Sequence, residues 1–123
     1  MVFDEQGALL LATFHGPLTD QDFRGFLDGI DRQLGCGVRR VLIADHTDLD
    51  TLSPAQREML VAWRTANLHR YPAGLYGIAY VQPSALMRGA LTATFWFVRP
   101  TVPHRVFDSM KTALAWAATL IER

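Results

Sequence analysis

Cysteine and lysine occur once each in 123 residues, and neither charge sign is in excess. With Cys36 as the single cysteine, an internal disulfide is impossible, and a reducing compartment is the natural setting. Within "GCG", after a helical pattern, Cys36 reads as a small residue that fills a gap. Twelve basic and twelve acidic side chains cancel, so no net field recruits nucleic acid or an anionic membrane surface. Unbroken apolar runs are far shorter than the ~20 residues a membrane-spanning helix takes. The start, "MVFDEQGALL", has no basic segment leading into an apolar one, so no signal peptide is expected. These absences point to a cytoplasmic chain with neither nucleic-acid binding nor membrane insertion.

Half of the residues are apolar and a fifth are charged, a globular composition. The length suits one domain, residues 1–123, with a core that needs no covalent staple. No repeat or linker divides it.

Two apolar stretches around Gly7, "MVFDEQ" and "ALLLATFHG", predict a hairpin. Thr19 then caps a helix in which Phe23, Phe26, Leu27, Ile30 and Leu34 fall at helical spacing, and Gly35 and Gly37 stop it. Val41 to Ala44 is a short buried strand that ends at Asp45. A second helix runs from Ser53 to about Tyr71, stopped by Pro72 and Gly74. "LYGIAYVQ" is a strand ended by Pro83, and "SALMRGALTATFWFV" a third helix, although "TFWFV" suits a strand equally well. "HRVFD" is the last strand. The closing helix turns Met110, Leu114, Ala117 and Ile121 inward, with Trp116 and Leu120 alongside. The order β-β-α-β-α-β-α-β-α implies an α/β fold with parallel strand pairs.

This order, with "HGPLTDQDFRGFLDGID", "VRRVLIADHTDL", "YGIAYVQ" and "HRVFDSMKTALAWAATLI", resembles the STAS-like proteins of the SpoIIAA-like group. The resemblance covers nearly the whole chain. It implies a mixed sheet of about five strands with about four helices, helices on one face, and a regulatory or interaction role without a general catalytic site. Related members resemble anti-sigma-factor antagonists, and the broader fold group is compared with lipid-exchange domains.

The polar stretch Asp45, His46, Thr47, Asp48, Asp50, Thr51 and Ser53 separates the central strand from the second helix. The antagonists carry their phosphoacceptor at the start of that helix. Counted without a gap from Asp45, that place holds Pro54 and Ala55. Ser53, with Pro54 at the first helical position and Gln56 three residues on, reads instead as a capping box. A calcium loop counted from Asp48 would need glycine and glutamate where Ser53 and Met59 stand. No metal or other cofactor is therefore expected. "DLDT", Asp48 to Thr51, matches an aspartyl-phosphate string but does not directly follow the strand as that chemistry requires. The four histidines include His15 and His46, which could approach each other at strand ends, but no nucleophile elbow accompanies them. "LGCGVRR" follows a helix, not a strand, and is no phosphate cradle.

The chain therefore reads as a non-enzyme that binds a protein partner or a second copy of itself, with the face from Asp45 to Ser53 as the first surface. The alternative is a carrier or sensor of a small apolar, lipid-like ligand between the third and fourth helices and the sheet. Met87, Leu91, Phe95, Trp96 and Phe97, with Met110 nearby, motivate that reading. Arg57, Arg64 and Arg70 along the second helix form either an anion-binding line or, as preferred here, an ordinary solvated face.

Overall fold

The computed structural model describes residues 2–49, 52–94 and 99–122. Strands β1 (Val2–Gln6) and β2 (Leu9–Gly16) form an antiparallel hairpin. Gly7 supplies its turn at φ 60°, a conformation that costs glycine little. Helix α1 (Asp20–Gly35) follows, and Thr19 Oγ1 accepts a hydrogen bond from Asp22 N at 3.0 Å, one of the free amides of the first turn. Strand β3 (Arg40–Leu49) lies parallel to β2, β4 (Leu75–Val81) parallel to β3, and β5 (His104–Phe107) parallel to β4. The sheet order is β1-β2-β3-β4-β5. Helices α2 (Pro54–Asn67), α3 (Tyr71–Gly74), α4 (Ala85–Thr94) and α5 (Met110–Ile121) complete the α/β fold expected from the periodicity.

The expectation that helices cover one face is corrected. Side chains alternate across a strand, so β3 and β4 each feed two cores. Leu42, Ala44, Ile78 and Tyr80 pack with Ile30 and Leu34 of α1 and with Tyr71. Val41, Ile43, Ala79 and Val81 pack with Ala113, Ala117 and Leu120 of α5. A sheet with strands buried on both faces requires helices on both, as parallel pairs generally do.

Four local expectations also shift. In α5 the inward stripe is Ala113, Ala117 and Leu120, whereas Leu114 is 39 % exposed, because small residues let the helix lie close on the sheet. Cys36 fills no gap: it caps α1, exposed, with Sγ 3.3 Å from the Gln33 carbonyl oxygen. The second helical pattern divides into α2, a tight turn at Leu68–Arg70, and α3. Pro72 lies in the first turn of α3, where its missing N–H costs nothing, instead of ending a longer helix. Finally, β3 does not stop at Asp45 but continues to Leu49.

Gln33 ties these pieces together from a buried position. Its amide nitrogen donates to the carbonyls of Val38 at 2.6 Å and Gly74 at 3.0 Å, and its oxygen accepts from Arg40 at 2.6 Å. Such full satisfaction is what a buried amide needs. None of the described helices is long and apolar enough to cross a membrane.

Candidate functional site

The extension of β3 decides the site. Asp45 stands opposite Thr13 of β2, but His15 stands opposite Asp48, so β3 carries one residue more than β2 across this step. The pairing with β4 stops just before this bulge, at Asp45 and Val81, where β4 itself ends. The bulge reverses the alternation of side chains. His46 shares the face of Leu42 and Ala44, and after the bulge Leu49 returns to that same face.

Two adjacent cavities open on this face. The inner one, about 50 Å³, is walled by Phe14, Phe23, Phe26, Ile30, Trp63 and Tyr80, with further aliphatic side chains from α1, α2 and the sheet. The outer one, about 250 Å³, lies between α2 and α4, among Leu60, Val61, Met87, Ala90 and Leu91. His46, Leu49, Leu52, Leu60 and Arg64 border both. The site imagined between the third and fourth helices is therefore displaced: it lies between α1, α2, α4 and the sheet, and Met110 packs on the opposite core.

Its polar centre is small. The His46 ring meets Phe14 edge-on at 5.2 Å and Tyr80 at 5.7 Å between centroids. Burial first and the Arg64 charge second lower its pKa from 6.5 to about 4, against a smaller opposing effect of Asp45. The imidazole is neutral at pH 7. Arg64 Nη2 donates to the Tyr80 hydroxyl at 3.3 Å, and Arg64 also bonds the Tyr71 side chain. Burial raises the Tyr71 pKa to about 12 and raises that of Tyr80, each partly offset by Arg64. Both phenols stay neutral. The ion pairs among the described residues are Arg40–Glu5 at 3.7 Å and Arg70–Asp31 at 2.6 Å, and His15 Nδ1 lies 3.8 Å from Asp48 Oδ2; Arg64 belongs to none of these.

The described residues of the polar stretch Asp45 to Ser53 are thus dispersed, not assembled. Asp45 Oδ1 accepts from Thr47 N at 3.0 Å and Thr47 Oγ1 at 2.6 Å, a local turn along the strand. Asp48 is exposed beside His15. Ser53 and Gln56 form both halves of the capping box, and Gln56 reaches on to Leu18 O at 2.8 Å and Asp20 Oδ1 at 3.0 Å. Of the stretch's described polar residues, only His46 borders the cavities. Met87 and Leu91 line the outer cavity. Asp50, Thr51, Phe95, Trp96 and Phe97 lie outside the described residues. No group of three or more His, Cys, Asp or Glu side chains that could hold a metal ion occurs among the described residues.

Sequence periodicity does not single out Tyr71 or Tyr80, and for Arg64 it leaves an anion-binding line or the preferred solvated face. Arg64 was assigned to a solvated face, yet it follows Leu60 and Trp63 at helical spacing and shares their inward side. A charge in register with an apolar stripe was the available signal. Arg57 is exposed at the rim and Arg70 is held by Asp31, so the three arginines do not form one line.

A solved structure from Shewanella loihica, an uncharacterised protein of the DUF3478 family with a SpoIIAA-like fold, resembles this chain with a TM-score of 0.71 at 18% identity. The likeness covers 94% of this chain and 90% of that one, and the fold is SpoIIAA-like. No family model and no curated protein matches the sequence.

Proposed function

We propose that this chain is a non-enzymatic SpoIIAA-like module that binds a small, largely apolar molecule between α1, α2, α4 and the sheet. The supporting observation is the pair of adjacent cavities, the outer of about 250 Å³. That is just below the roughly 300–1,000 Å³ of ordinary small-molecule sites, so the ligand is small. Walls of aliphatic and aromatic side chains around a few convergent polar groups are the usual composition of such sites. Purified protein titrated with N-phenyl-1-naphthylamine, a neutral apolar dye, should give saturable fluorescence, and Leu60→Trp should weaken it. No saturable signal, with no small molecule released on solvent extraction, would remove this reading. Screening against ester and phosphate substrates tests the non-enzymatic part, and turnover would overturn it.

A protein partner or second copy is the second reading, favoured by Leu86, which α4 leaves 83 % exposed. Thr47 and Asp48 add exposed polar contacts at the end of β3. Light scattering on the native protein and on Leu86→Ser, with a pull-down, tests it: one monomeric mass and no shared partner would sink it.

A further inference from the structure

The outer cavity is apolar, yet it is bordered by an arginine that belongs to no ion pair among the described residues. Arg64 comes from α2 in the same inward register as Leu60 and Trp63, and its guanidinium reaches the Tyr80 hydroxyl at 3.3 Å. A guanidinium carries five N–H donors. Among the described residues Arg64 spends them only on Tyr80 and Tyr71, and no carboxylate lies within 4.0 Å. A charge held against apolar walls is costly unless it is paired. Arg57, exposed at the rim of the same cavity, adds a second positive charge on that side. The imidazole of His46 borders both cavities next to Arg64, and neutral imidazole keeps one N–H donor.

We infer that the ligand is an anionic amphiphile, a small monocarboxylic acid whose head pairs with Arg64 and whose hydrocarbon tail lies along Leu60, Val61, Met87, Ala90 and Leu91. The inference rests on the cavity-binding reading above and adds the charge of the ligand to it. The carboxylate suits the planar fork of arginine, which matches its oxygens with parallel hydrogen bonds. A neutral His46 adds a donor without a second buried charge.

Decanoate and 1-decanol, each below its aggregation limit, should be compared as displacers of N-phenyl-1-naphthylamine from the wild type, Arg64→Gln and Arg64→Lys. Decanoate should outcompete decanol about tenfold or more in the wild type, because hydrogen bonds to charged groups are among the stronger ones. Arg64→Gln should abolish that preference and leave decanol within about twofold, while Arg64→Lys keeps part of it. Equal displacement by acid and alcohol from the wild type would overturn the inference and leave the cavity reading standing. A preference undiminished in a folded Arg64→Gln would overturn it too. Failure of the dye itself to bind would instead remove the cavity reading, and the inference with it. The wild-type comparison decides even where a variant does not fold.

Discussion

Val41 and Ile43 look from β3 toward α5 with no exposed surface, while Leu42, Ala44 and His46, their neighbours along the same strand, look into a cavity. The α5 side is closed with small residues: Ala79, Ala113 and Ala117 are also fully buried. A Cβ on Gly77 would come within 2.5 Å of Leu120 Cδ1 and 2.9 Å of the Pro103 carbonyl oxygen. The α2 side carries larger side chains, yet they leave space, and the titratable groups His46, Arg64, Tyr71 and Tyr80 gather there. Chain length and composition are common to both sides, so neither explains the cavity. Close packing is reached where the helix is narrow and flat on the sheet. Space remains where three helices and a bulged strand meet at one polar cluster.

Gly77→Ala should break the comparison from the tight side. With no room for a methyl group, overpacking should cost about 3 kcal/mol, the upper part of the usual range, seen as a lower urea midpoint. A loss below about 0.5 kcal/mol would mean that α5 can move away and that the two sides are alike.

On the cavity side the largest effect should come from pH. Between 6.5 and about 4 the unfolded chain binds a proton at His46 that the folded chain does not. This contribution to stability is therefore complete above pH 6.5 and lost progressively as pH falls toward 4. Thermal or urea unfolding should show about 2 kcal/mol less stability from this group at pH 5 than at pH 7. His46→Asn should flatten the profile over that window; an unchanged slope would show that the ring is not desolvated.

Ser53→Ala should cost about 1 kcal/mol by removing one half of the capping box at the start of α2. A phosphate found on Ser53 in native protein would give the residue a second role. The smallest effect should follow Leu60→Phe, which expands a residue into the cavity it borders. Stability should change by less than about 0.5 kcal/mol, against the loss expected for the small methyl at Gly77. A large penalty at Leu60 would mean that the cavity closes in solution.

Much of the fold was legible because period and punctuation agree. The stripe Phe23, Leu27, Ile30 and Leu34, the Thr19 and Ser53 caps, and Gly7 at the hairpin are local signals with local causes. Less of the site was legible. The polar stretch drew attention by composition, but Asp45 and Thr47 satisfy each other and Ser53 caps a helix. Arg64 fell to the solvated face in preference to an anion-binding line, since an arginine on a helix is usually solvated.

By itself, the sequence determined the elements, their order and the apolar faces, because helix and strand periods and caps depend on neighbours a few residues apart. It also determined that β3 and β4 are apolar on successive residues, which two-sided burial demands. The tertiary structure alone decided that α5 takes the second face. It decided as well that a bulge beyond Asp45 brings His46 and Leu49 to one side, and that Arg64 meets Tyr80 from another element. Those outcomes depend on register and on contacts between residues far apart in the chain, and a local pattern carries no record of either.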